Sequence, residues 1–138
     1  MIIQKKITLA SKGFNDIIDI TPELNTILKQ SKFKDGHLIL FVPGATGGLT
    51  TIEYESGLLK DFPDMLEKIA PMNAGYHHDA TWHDGNGFSH LRASLIGPSL
   101  TVPFEHGRMT LGTWQQVIFI DFDNRPRQRN LHVQVYGE

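Results

Sequence analysis

The sequence predicts an α+β fold in which strand dominates, folded as a single compact domain over residues 1–138 with mixed sheets and two or three short helices. Three observations predict it. The 138 residues combine 40% hydrophobic with 20% charged content, the balance of one globular core. Strand-length runs, alternating or continuously apolar, recur along the chain, and only short stretches carry apolar residues at helical spacing. No repeat, low-complexity tract or linker-like shift in composition divides it.

Taken in order, Ile2 to Ala10 and Phe14 to Ile20 alternate apolar and polar residues around a Ser11-Lys12-Gly13 turn, which predicts a hairpin. Thr21 then reads as an N-cap with Pro22 at the first helical position. Leu24, Ile27 and Leu28 fall on one face of a helix ending near Ser31. His37 to Val42 is a continuous apolar strand, and the threonine-rich Leu49 to Tyr54 is expected to pair with it across the intervening glycine turn. Asp61 to Ile69 reads as a second helix, capped by Asp61, with Pro63 in its first turn. After a His-rich loop, Phe88, Leu91 and Leu95 predict a helix over Asn86 to Ile96, stopped by Gly97-Pro98. Strands return at Leu100 to Phe104, Thr113 to Asp121 and Asn130 to Tyr136, with turns at Glu105-His106-Gly107 and near Asn124 to Pro126.

Val117-Ile118-Phe119-Ile120 is apolar on both faces and needs cover on both, from a helix, a second sheet or another subunit. With few helices available, association into a homo-oligomer is expected. Trp114 reads as core or interface.

Composition also excludes partners. A net charge of −2 without a basic stripe argues against nucleic acid. No stretch is long and apolar enough to span a bilayer, and the N-terminus lacks the regions of a secretory signal, so a cytoplasmic protein without membrane partners is expected. The absence of cysteine leaves nitrogen and oxygen ligands for any metal.

Chemistry concentrates in Tyr76 to His90, which holds four of the seven histidines. Histidine and carboxylate serve both as metal ligands and as acids and bases near neutral pH. His78 from the start of the loop and His90 from the following helix can converge, with Asp84 completing three ligands around a divalent ion, zinc or magnesium/manganese, that keeps an open position. Against this stands an ordinary surface loop with a hydrogen-bonded His90. Asn86, between two glycines, either orients a ligand through its amide or serves the turn. Glu53 is either a general base or an exposed strand residue. Arg127 and Arg129 alternate onto one face, as a clamp for phosphate or carboxylate or as a salt-bridging pair; Arg127 is the favoured anion ligand. Pro43 to Gly48 lacks the Gly-Lys-Ser/Thr ending of a Walker loop, although its small residues let a ligand approach the backbone.

A set of residues spread through the chain resembles the YjbQ-like family of uncharacterised or secondary thiamine-phosphate synthase proteins. They are Phe41-Val42-Pro43 through Thr46 to Glu53, Tyr76 with His78, Gly85-Asn86 with His90, Ala93 to Ser99, Val102-Pro103, Gly107, Leu111 to Gln115, and Asp123 with Arg127 and Arg129. The resemblance implies a homotrimer with a divalent metal near the subunit boundary, catalytic roles for His78, His90 and Glu53, and binding of a small phosphorylated metabolite at Thr46, Asn86 and Arg127. It implies the joining of hydroxymethylpyrimidine diphosphate to thiazole phosphate with release of pyrophosphate. Metal-dependent phosphate-ester hydrolysis and non-catalytic metal or metabolite binding stand beside it. The chain departs from the pattern at Gly44-Ala45-Thr46, where the family commonly has His-Thr-Thr, and in the longer turn Asp123 to Arg127.

Overall fold

The computed structural model describes all of residues 1–138. Eight strands and four helices follow in the order β1 (Ile2–Ser11), β2 (Asp16–Asp19), α1 (Thr21–Ser31), β3 (Gly36–Phe41), β4 (Gly47–Ile52), α2 (Leu58–Ile69), α3 (His77–Trp82), α4 (Gly87–Ile96), β5 (Ser99–Glu105), β6 (Arg108–Met109), β7 (Gln116–Asp121) and β8 (Arg127–Gly137). The predicted strand-dominated α+β class holds, with α3 as a helix inside the His-rich segment.

The strands form two antiparallel sheets, β1-β8-β3-β5-β6 and β2-β7-β4. Strict alternation in β8 sends Leu131, Val133 and Val135 inward and leaves Asn130, His132, Gln134 and Tyr136 outside. Their inward row meets Leu38 and Leu40 of β3, Val102 and Phe104 of β5, and Val117 and Phe119 of β7, while Leu24, Ile27 and Leu28 of α1 join the same core. The other face of β7 gives a second core, in which Ile118, Ile120 and Phe122 pack on Leu66 of α2 and Ala93 of α4. Both faces of β7 are thus covered within one chain, by a sheet on one side and helices on the other.

Several local expectations are corrected. The first two strands do not form a hairpin: β1 pairs with β8, and β2 pairs with β7 in the other sheet. Between them Gly13, Phe14 and Asn15 all have positive φ, a corner that turns the chain from one sheet to the other. For the same reason of sheet switching, β3 and β4 do not pair; β3 lies between β5 and β8, and β4 lies on β7. Thr21 is the first residue of α1 rather than its cap, because its hydroxyl accepts the Val117 N–H across the sheet at 2.9 Å. Helix α2 starts at Leu58, three residues before Asp61, where the Glu55 carboxylate accepts the Gly57 and Leu58 N–H groups. Strand β7 begins only at Gln116, and Trp114, 72% exposed, is not a core residue. No helix is long and apolar enough to cross a membrane.

Candidate functional site

The end of β7, the start of β8 and the turn joining them bring charge between the sheets. Arg129 continues the inward row of β8 and is 4% exposed; Asp121, the last residue of β7, is fully buried. One edge of the guanidinium grips that carboxylate, with Nε donating to Oδ2 at 2.8 Å and Nη2 to Oδ1 at 2.9 Å. Nη2 also donates to Thr46 Oγ1 at 2.7 Å, and the Thr46 hydroxyl donates in turn to Asp123 Oδ2 at 3.2 Å.

Asp123 is the hub. Its Oδ2 also accepts Arg127 Nη1 at 2.7 Å, and its Oδ1 accepts the Asn124 N–H at 2.8 Å and Asn86 Nδ2 at 3.2 Å. Burial alone would raise its pKa, but these donors, led by Arg127, outweigh it and hold the carboxyl down at about 2. Asp121 is likewise lowered, the hydrogen bonds from Arg129 leading the effects that overcome burial.

The amide of Asn86 carries this fixed negative charge outward. An ionised Asp123 only accepts, so Asn86 presents Nδ2 to it and Oδ1 to His78 Nε2, 3.0 Å away. An amide oxygen also only accepts, so Nε2 of His78 carries the proton and the neutral ring keeps its lone pair on Nδ1. Nε2 lies 3.4 Å from Asp84 Oδ1 as well.

Helices α3 and α4 set the two histidines against each other, with ring centroids 4.3 Å apart and planes at 49°. The approach depends on Gly87, where a Cβ would lie 2.7 Å from that of Tyr76. Asp79 of α3 accepts the Gly87 N–H at 2.8 Å, joining the helices at their ends. His90 is lowered below its ordinary value of 6.5, first by desolvation and then by repulsion from His78. The pair borders a cavity of about 240 Å³ lined by Tyr76, His77, His78, Gly87, His90 and Leu91.

This arrangement makes His90 a test of the geometry. Its ring is expected to titrate below 6.5 by NMR in the native protein. His78→Ala is expected to move that titration upward, since it removes the neighbouring charge and lets water reach the ring. An unchanged value would mean the rings do not meet.

Of the residues singled out from sequence, Thr46, Asn86, Arg127, His78, Asp84 and His90 lie in this network or against it. Glu53 does not join them: it follows the end of β4, exposed, and its side chain makes no hydrogen bond to the site. The predicted metal set His78, Asp84 and His90 is corrected. No three such groups are positioned to hold an ion, because His78 Nε2 is a proton donor towards Asn86 and Asp84 and has no lone pair to offer between them. Sequence reasoning did not single out Asp121 or Asp123 as site residues. Their signal is the polar alternation Asp121-Phe122-Asp123 closing an otherwise apolar strand, with two arginines returning across the turn.

A profile of the family described as "UPF0047 protein YjbQ-like" matches residues 5–138. An Archaeoglobus fulgidus "UPF0047 protein" is 38% identical over 94% of this chain and 98% of its own length. A Methanothermobacter thermautotrophicus "UPF0047 protein" is 42% identical over 89% and 84%. Among solved structures, a Sulfolobus solfataricus YbjQ-like protein "of unknown function" superposes with a TM-score of 0.94 at 25% identity over 100% of this chain and 99% of that one. An uncharacterised YjbQ/UPF0047 protein from Clostridium acetobutylicum gives 0.87 at 31% identity, covering 96% and 99%. These descriptions name no thiamine-phosphate synthase, zinc protein or transferase. They overturn the synthase activity implied by the resemblance.

Proposed function

This chain belongs to the UPF0047 YjbQ-like family, and from that premise we propose that His78 and His90 form an acid–base pair acting on a small anionic metabolite. The observation that carries the reading is the hydrogen-bonded line His78–Asn86–Asp123, which ties an imidazole to a carboxylate held ionised down to a pH of about 2.

The line fixes which nitrogen of His78 is basic and stabilises the imidazolium that forms when Nδ1 takes a proton, with Asp84 adding a second negative charge at 3.4 Å. His90, kept neutral by desolvation and by its neighbour, opposes a second proton in the pair. One proton is therefore shared by two rings at the edge of a small cavity, the condition for taking it from one substrate atom and returning it to another. The metabolite's anionic group is received by donors at the arginine end of the network. A homo-oligomer, a trimer in this reading, supplies further walls. Its contact surface is the outer face of the larger sheet, where Ile2 lies opposite Tyr136 and Ile39 and Phe41 are exposed on β3.

The test is a panel of small phosphorylated and carboxylated metabolites followed by NMR in deuterated water for conversion or solvent exchange. Conversion by the wild type is expected to fall about 100-fold or more in His78→Ala and in His90→Ala. Undiminished conversion in both variants, or none by the wild type across the panel, overturns the proposal.

A further inference from the structure

We infer that the turn Gly44 to Thr46, together with Nη1 of Arg129, forms a seat for an oxyanion, the phosphate or carboxylate group of a bound molecule. Its claim to hold the substrate's anionic group rests on the acid–base reading above; the seat itself stands on three separate observations.

The first is the unused half of a buried guanidinium. Arginine has five N–H donors. In Arg129 the Nε proton and both Nη2 protons meet Asp121 and Thr46, while Nη1 donates to nothing in the chain. No buried side-chain nitrogen or oxygen lacks a partner, so Nη1 is the part of this otherwise buried side chain that reaches the surface, where its donors are open to a ligand. The second is the opening in front of it. A Cβ on Gly44 would stand 3.2 Å from Nη1, and apart from its own chain neighbours no other atom of the protein lies within 4 Å of that position. Any side chain there would close the approach; glycine, at φ +110°, leaves it open. The third is the backbone. The N–H groups of Gly44, Ala45 and Thr46 donate no hydrogen bond within the chain, although Thr46 is 4% exposed. Successive free N–H groups beside a guanidinium are an anion-binding arrangement.

The two nearby carboxylates do not bar an anion. Asp121 lies against the other edge of Arg129 and Asp123 against Arg127, so the network is neutral charge for charge before a ligand arrives. The seat also communicates with the histidines through Arg129–Thr46–Asp123–Asn86–His78, each step a hydrogen bond of 3.2 Å or less. A molecule anchored by its anion is then held to the same rigid frame that orients the base.

The experiment is a titration of the ¹⁵N-labelled full chain with inorganic phosphate, with acetate, and with chloride at matched ionic strength. Saturable shifts of the Gly44, Ala45 and Thr46 amides are expected with an oxyanion and not with chloride, and the tighter of the two identifies a phosphate or a carboxylate ligand. Gly44→Ala is expected to weaken binding about tenfold or more by covering Nη1. Shifts no different from those with chloride, or an unchanged affinity in Gly44→Ala, overturn the seat; the wild-type titrations decide the matter even if the strained variant does not fold. A seat that fills in a protein without turnover removes the acid–base reading alone. Turnover without filling removes the seat alone.

Discussion

Asp121→Ala is expected to lower folding stability by about 3–5 kcal/mol, seen as a large drop in the urea midpoint at pH 7. The fully buried carboxylate is the main counter-charge of Arg129, and deleting it leaves a guanidinium between two sheets with the weaker help of Asp123 at 4.0 Å. Leaving one buried ion unpaired is far worse than removing both, so Asp121→Ala combined with Arg129→Met is expected to recover part of the loss. If the single variant unfolds at the wild-type midpoint, the charge is reached by water and the buried-pair argument fails. Asp121→Asn keeps the shape and one acceptor, and should fall between the two.

The same carboxylates set the acid limit. Both Asp121 and Asp123 have folded-state pKa values below the ordinary 3.8, so the unfolded chain binds more protons than the native one in that range. Their stabilisation is fully present above about pH 4 and is lost as pH falls through the folded values, towards about 2 for Asp123. His90 acts in the same direction at higher pH. Its lowered pKa means the native state resists protonation, so its contribution grows as pH rises from below its folded value to 6.5.

The elements most legible in the sequence are those whose signal is local. The alternation of β8 reads directly as one buried and one exposed face, and the spacing of Leu24, Ile27 and Leu28 gives α1 to within a residue at each end. What a sequence cannot carry is which strand finds which. β1 closes on β8, at the far end of the chain, and the turn after Pro43 hands the chain to another sheet instead of closing a hairpin. Both events depend on tertiary packing and on positive-φ corners, which composition marks only as turns. The double-sided apolar pattern of β7 calls for two covers but not for their source, and the second is α2 and α4 of the same chain.

At the site, the residue types were legible and their partners were not. His78 and His90 stand out because they lie in a dense histidine run, and they do converge. Their spacing says nothing of Asn86 turning its amide towards Asp123, and that interaction makes Nε2 of His78 a donor instead of a ligand. Arg129 illustrates the same limit. Alternation places it with Arg127 on one face, but only the depth of β8 between the sheets makes one buried and the other a partly exposed partner of Asp123.

Arg92→Ala is expected to lower stability by about 3 kcal/mol and at the same time to raise the pKa of His90 towards 6.5. Arg92 lies on α4 two residues beyond His90, is 1% exposed, and stacks its guanidinium carbon 4.9 Å from the centre of the Phe88 ring. Nε and Nη2 donate to the Ala70 carbonyl just past the end of α2 at 3.0 and 2.8 Å, and Nη1 donates to Asn15 Oδ1 at 3.0 Å. The Glu67 contact, at 2.6 Å, involves a carboxylate 52% exposed, so solvent screening leaves it a small share of the total. Most of the loss comes from an unpaired carbonyl at a buried residue and from the packing of the guanidinium on Phe88. Because Arg92 ties α4 to the end of α2, and the chain runs from there into α3, its removal loosens the two helices that hold His90 and His78 together. A wider gap between the rings admits water and weakens their repulsion, and each effect favours protonation of His90. Urea unfolding together with NMR titration of the histidines separates the two roles. A stability loss with His90 unmoved would make Arg92 a clamp of the fold alone, whereas a loss accompanied by the upward shift makes it a positioning residue for the acid–base pair.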